Sequence, residues 1–131
     1  SYDQRRKVLL AVMLIVVRNF RDRGGAMPAD EIRTQLDLPT RIVNDVLFQL
    51  VQAGQLIAVR SGDGEREMAF TPAHDIASMT VYGVLEAVER SGQTTFDFGQ
   101  TPELARVDRE LEMLKDSARR SQENVRLVDL L

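Results

Sequence analysis

The side chains best suited to recognition lie between residues 40 and 66. Thr40, Arg41 and Asn44 fall within about one turn of any helix that begins there. Arg41 can donate two hydrogen bonds to guanine and Asn44 can pair with adenine, because the edges of these bases carry matching groups. Arg60 and Arg66 stand on either side of a Gly-rich turn. These five residues are the candidate nucleic-acid contacts.

Candidate catalytic and metal-binding groups are few. His74 is the single histidine and Asp75 follows it directly, but sequence neighbours do not usually face each other and no second group completes a triad. Asp63 and Glu65 in the Gly-rich turn are a weak metal signal. The absence of cysteine excludes disulfides and thiolate metal sites. We therefore predict a non-enzyme with no catalytic residue, no metal site and no cofactor.

Charge is distributed unevenly along the chain of 131 residues. Six of the 17 basic residues but only two of the 20 acidic residues precede Gly24, so the N-terminus is basic and the remainder is acidic. A nucleic-acid binder normally carries a basic patch on its recognition surface. The charge pattern therefore favours protein contacts over DNA binding.

Any fold of this chain has to accommodate a run of apolar residues near the N-terminus. No residue from Val8 to Val17 is polar. Ten residues are too few to cross a bilayer, which takes ~20. A helix that is apolar on every side is buried on every side. The run predicts the central core helix of a soluble domain, and whether one side also packs on a partner chain stays open.

The recognition candidates fall inside a helix-turn-helix pattern. Apolar spacing predicts a short helix after Pro28 and a second helix from Thr40 to a cap at Gly54. Two β-rich stretches, 56–60 and 67–71, surround an Asp-Gly hairpin turn. This order is typical of a winged helix. The predicted fold class is α+β, mainly helical, with a winged helix-turn-helix domain at 1–92 and a linker and C-terminal helical extension at 93–131.

The extension carries a narrow apolar stripe. Thr101 and Pro102 begin a helix in which Leu104, Val107, Leu111 and Leu114 follow at spacings of three, four and three. We expect this stripe to pack on its own domain or on a twin chain, and we predict a homodimer or another protein partner.

Three stretches resemble a bacterial family. ADEIRTQLDLPTRIVNDVLFQLVQAGQL, TPAHDIASMTVYGVLEAVERSG and TPELARVDRELEMLKDSARRSQENVRLVDLL are similar to the cytosolic C-terminal domain of YihY/BrkB-type inner-membrane proteins, formerly labelled ribonuclease BN. The resemblance implies a multi-helix membrane portion before Ser1, with Arg5, Arg6 and Lys7 following its last span on the cytoplasmic side. It implies a non-catalytic module that works through protein contacts or dimerisation. The old name implies a tRNA-processing nuclease, which these residues do not support.

The same segment also resembles a family of winged-helix repressors that includes the iron–sulfur cluster regulator and the cysteine-metabolism regulator. The cluster-binding members carry cysteines between the wing and the last helix. This chain has none, so cluster sensing is excluded. The resemblance implies the alternative function, a DNA-binding transcription regulator.

Overall fold

The computed structural model describes residues 1–60, 67–93 and 99–131, and it has the predicted fold class. The wing turn with Asp63 and Glu65, the candidate contact Arg66 and most of the predicted linker lie outside the described residues. The helices are α1 (Tyr2–Arg23), α2 (Ala29–Leu36), α3 (Thr40–Gln52), α4 (Val81–Ser91) and α5 (Pro102–Arg120), the strands are β1 (Met27–Pro28), β2 (Leu56–Arg60) and β3 (Met68–Pro72), and short 3-10 helices cover Ile76–Ser78 and Leu127–Leu130.

Helix α1 is the axis of the core, as its apolar run predicts. It extends beyond that run at both ends and stops at Gly24, whose positive φ of 69° suits a residue without a side chain. It contacts the helices α2, α3 and α4, the strands β1 and β3, and the C-terminal 3-10 helix. No helix in the described ranges is long and apolar enough to cross a membrane. The buried residues of α1 are Leu9, Val12, Met13, Ile15, Val16 and Val17.

Helices α2 and α3 form the helix-turn-helix. The chain turns between them at Asp37, which adopts the left-handed conformation with φ 51°. The buried stripe of α3 is formed by Val43, Val46, Leu47 and Leu50. Ile42, which the sequence pattern places in an apolar row with Val46 and Leu50, is instead 41% exposed. It lies roughly a quarter turn from the centre of the stripe, given about 100° per residue.

The sheet has three antiparallel strands in the order β1-β3-β2. The predicted wing hairpin pairs β2 with β3 in the register Leu56↔Pro72 to Arg60↔Met68. Strand β1 pairs with β3 and has no signal in the sequence, because two residues are too few to show alternation. Phe70 and Met27, paired across β3 and β1, are both buried in the core.

The C-terminus returns to the core beside α1. The Leu127 N–H donates to the Met79 carbonyl at 2.9 Å, and the Val81 N–H donates to the Val125 carbonyl at 3.0 Å. Leu127 is completely buried against the same cluster as α1. Asn124 Oδ1 accepts from the backbone N–H of the second residue of α4 at 2.8 Å. The end of the extension therefore belongs to the hydrophobic core of the winged helix.

Candidate nucleic-acid interface

The outward face of α3 carries three of the predicted contacts. Thr40, Arg41 and Asn44 are all exposed, and their spacing of three and four residues places them on one side of the helix. Phe48 continues this face one turn further and is 65% exposed. An aromatic side chain there could contact a thymine methyl group. Phe48 follows Asn44 by four residues, so helical spacing alone predicts that it lies on this exposed side of the helix.

Arg60 lies at the end of β2, where the wing begins. It is exposed and pairs across the sheet with Met68. Neither Arg60 nor Arg41 forms an ion pair with any residue in the described part of the chain. Among residues 1–60, 67–93 and 99–131, no carboxylate neutralises either guanidinium group.

A third cation, Arg33, is held inside a network that we call the Arg33 clamp, formed with Asp30, Asn44 and Glu67. Arg33 Nη2 donates to Asp30 Oδ1 at 2.8 Å and to Glu67 Oε1 at 3.0 Å, and Arg33 Nη1 donates to Asn44 Oδ1 at 2.9 Å. The Arg33 side chain is only 23% exposed. The clamp joins α2, α3 and the residue that precedes β3, so it holds the base of the hairpin against α3.

The two carboxyl groups of the clamp titrate differently. A hydrogen bond with Asp30, together with desolvation, raises the pKa of Glu67. The same hydrogen bond, with the Arg33 guanidinium, lowers the pKa of Asp30. Asp30 therefore stabilises the fold above its ordinary pKa and loses this contribution as the pH falls. Protonated Glu67 stabilises the fold at low pH and loses its contribution as the pH rises.

The charge around α3 is unfavourable for a polyanion. The clamp holds two carboxyl groups around one guanidinium, and Asp45 is exposed beside Arg41. Affinity for DNA rises with the number of phosphates that the protein neutralises. Among the described residues of this face, Arg41 and Arg60 are the two cations that no carboxylate offsets.

An open apolar groove lies beneath Phe48, between α3 and the sheet. Its volume is about 460 Å³, and Arg33, Asn44 and Glu67 of the clamp form its polar edge. Its apolar lining consists of Ala29, Leu47, Phe48, Val51, Ala58, Met68 and Phe70.

The candidate acid–base pair has a structural explanation. The Asp75 carboxylate accepts a hydrogen bond from the Ala77 N–H at 3.0 Å and caps the 3-10 helix that follows. His74 is exposed beside it. Within the described ranges, no group of three or more His, Cys, Asp or Glu residues could hold a metal ion.

Helix α5 presents its predicted apolar stripe to solvent. The side chains of Leu104, Val107, Leu111 and Leu114 are 40–68% exposed, and α5 has no buried residue. In the described part of the chain the stripe is not buried against its own domain, and packing on a twin chain stays a prediction. The C-terminal end of α5 is attached to α4, because Arg119 Nε and Nη2 donate to the two Glu86 carboxylate oxygens at 3.0 and 2.5 Å.

Comparison with known proteins supports the fold. No family model matches the sequence, and no curated protein matches it. The solved structure of CymR (YrzC), the global cysteine regulator of B. subtilis, is similar with a TM-score of 0.62 and 15% identity, over 96% of this chain and 92% of that one.

Two further solved structures are also similar to this chain. A candidate transcriptional regulator from Listeria innocua has a TM-score of 0.61 and 14% identity, over 97% of this chain and 83% of that one. T. potens IscR has a TM-score of 0.55 and 12% identity, over 86% and 74% of the two chains. At these identities the likeness establishes fold alone. The chain is a winged-helix protein that shares its architecture with these three proteins over most of its length.

Proposed function

We propose that the chain is a homodimeric transcription regulator that contacts duplex DNA through α3 and the wing. The observation that carries the proposal is the exposed face of α3, on which Thr40, Arg41 and Asn44 lie together with Arg41 unpaired among the described residues. In a helix-turn-helix, residues of this part of the second helix reach base edges in the major groove. Three solved proteins of the same fold, two of them named as regulators, add support.

Dimerisation would compensate for the low charge of one chain. Two copies joined through the exposed α5 stripe would place two α3 helices on successive half-sites, about one helical turn of DNA apart. A dimer offers two copies each of Arg41 and Arg60. With about four phosphates neutralised, the logarithm of affinity should fall with the logarithm of salt concentration at a slope of about −3 to −4.

Selection from a random duplex library at physiological salt tests the proposal. The wild-type chain should enrich a sequence with two related half-sites, and gel shifts should show the modest salt dependence given above. Arg41→Ala should weaken binding of the dimer to that sequence about 30-fold or more, because it removes a bidentate base contact worth about 1–3 kcal/mol from each of the two half-sites. Arg106→Ala removes an exposed charge from α5 and serves as the control. A wild-type chain that enriches nothing would contradict the proposal.

A second candidate is a protein-contact module of a YihY/BrkB-type inner-membrane protein, located on the cytoplasmic side. The observations that favour it are the neutralised Arg33 and the exposed Phe48 above an apolar groove, since such a surface suits a protein better than a polyanion. The coding sequence upstream of Ser1 discriminates. Several apolar stretches of about 20 residues would favour this candidate, and their absence would remove it.

A further inference from the structure

The open groove beneath Phe48 combines an apolar interior with a charged edge. Its volume of about 460 Å³ lies within the range of small-ligand sites. Helices α2 and α3 and strands β2 and β3 all contribute side chains to it. Most of these side chains are apolar, and Arg33, Asn44 and Glu67 form the polar edge. A ligand that matches this groove has an apolar body and one polar group.

The edge of the groove determines which charge that polar group should carry. Arg33 Nη2 donates to Asp30 at 2.8 Å and to Glu67 at 3.0 Å, so two carboxyl groups share one guanidinium group. A third carboxylate at this edge would be repelled by both of them, whereas a cation would be attracted. The raised pKa of Glu67 agrees, because it shows that Arg33 does not outweigh Asp30 and desolvation. The edge therefore favours a cation over an anion.

The same edge has acceptor atoms for an ammonium group. The two oxygens of a carboxylate such as that of Glu67 offer about four acceptor positions. Asn44 Oδ1 accepts from Arg33 Nη1 at 2.9 Å and, as an amide oxygen, can accept a second hydrogen bond. Both residues are hydrogen-bonded to one guanidinium group, so they are neighbours on the edge. An ammonium group has donors in several directions and no acceptor, so one such group can donate to both.

We propose that this groove is a binding site for a small apolar amine, with the ammonium group at Glu67 and Asn44 and the apolar body between α3 and the sheet. Leu47 and Val51 of α3 line one side of the groove and Phe70 of β3 lines the other, so both sides contact the apolar body. The site goes beyond the proposed function, and ligand binding there does not require that the chain bind DNA.

Methyl NMR of the full chain, with isotope-labelled methionine methyl groups, tests the site. The chain has five methionines, of which Met68 lines the groove and Met113 is exposed on α5. The probe is phenylbutylamine, which has an aromatic body and a terminal ammonium group. It should shift the Met68 signal in a saturable way and leave the Met113 signal unchanged. Met113 thereby reports any non-specific contact of the amine with exposed apolar surface.

Two analogues of the probe isolate the contribution of its charge. Phenylbutanol has the same apolar body with a neutral polar group, and phenylbutyric acid carries a negative charge. The amine should bind about fivefold more tightly than the alcohol, which is the size expected for a partly exposed ion pair. The acid should bind more weakly than the alcohol. This comparison uses the wild-type chain alone, so it is decisive even if a variant does not fold.

Three variants test the residues of the site. Glu67→Gln should weaken binding of the amine about fivefold and leave binding of the alcohol unchanged. Glu110→Gln makes the same change on the exposed surface of α5 and is the control. Ala58→Leu enlarges a side chain that lines the groove and should weaken binding of both ligands. The signals of the buried Met13 and Met79 report whether each variant keeps its core.

Each outcome supports or overturns the site. Equal affinities for the amine and the alcohol, or a Met68 signal that does not saturate or that moves together with Met113, overturn it. Unchanged affinity for the amine in a folded Glu67→Gln variant also overturns it, whereas saturable binding in the expected order supports it. None of these results depends on DNA, which the library selection tests separately, so failure of the site and failure of the proposed function are distinguishable.

Discussion

Helices α1 and α5 are the two longest in the chain, with 22 and 19 residues, and they use apolar side chains in opposite ways. Six residues of α1 are buried, and the helix contacts most other elements. No residue of α5 is buried, although its sequence carries a regular apolar stripe. α1 stabilises the core, whereas the apolar stripe of α5 is not covered by any part of the chain that the structure describes.

The difference between the two helices shows what an apolar pattern encodes. A helix that is apolar on every side, such as the central part of α1, removes its apolar surface from water only when it lies inside a core. A narrow stripe with charged flanks, as in α5, can be buried by a single partner helix, while the rest of the helix stays in water. Burial of α1 is therefore required for folding, whereas the α5 stripe is exposed in the described part of the chain and is the surface that we propose for a second copy.

Two methionines give the largest contrast between the helices. Met13 of α1 is completely buried, and Met113 of α5 is 66% exposed. Met13→Ala should lower the free energy of unfolding by about 2–5 kcal/mol, because it leaves a cavity in the core. Met113→Ala should change it by less than about 0.5 kcal/mol. Urea unfolding of both variants measures the two values, and equal losses would contradict the assignment of α1 as the core helix.

The next largest predicted effect is on association of two chains through the α5 stripe. Leu111→Glu places a charge in the centre of the stripe and should weaken a homodimer at least tenfold, which is about 1.4 kcal/mol. Arg109→Glu introduces the same side chain about 200° around the helix and should leave association unchanged. Sedimentation velocity over a range of concentrations measures both. The dimer is refuted by a wild-type chain that stays monomeric at every concentration.

The smallest predicted effect is on stability, through the ion pair that attaches α5 to α4. The Arg119 guanidinium lowers the pKa of Glu86 below the usual value of 4.5 by hydrogen bonding. The contribution of the pair is fully present above that value and is lost as the pH falls through the lowered pKa. Arg119 is 40% exposed, so solvent screens the pair and its effect on stability is small.

Urea midpoints of the wild type and Glu86→Gln between pH 7 and pH 3 test this attachment. The wild type should be more stable at neutral pH, and the difference should disappear at the acid end. Glu89→Gln, on the same helix but without a hydrogen bond to Arg119 among the described residues, is the control. A difference between the wild type and Glu86→Gln that stays constant across the range would show that the ion pair does not attach α5.

Much of the fold could be predicted because its signals are local. The apolar run of α1 determines that it is buried, and Thr80 and Thr101 determine where α4 and α5 begin, since each side chain accepts a hydrogen bond from a backbone N–H three residues on. The spacing of α2, α3 and the wing predicts the winged helix. The five candidate contacts also follow from local position, and the structure places the four that it describes on exposed surface.

The sequence by itself therefore determined the helices, the hairpin, the winged-helix class and the candidate face of α3. The tertiary structure alone decided that Arg33 meets Asn44 and Glu67, 11 and 34 residues away, and that Leu127 closes the core against α1. It also decided that the α5 stripe stays exposed. The physical reason is that periodicity and capping act over one or two turns, whereas these contacts depend on where distant elements come together.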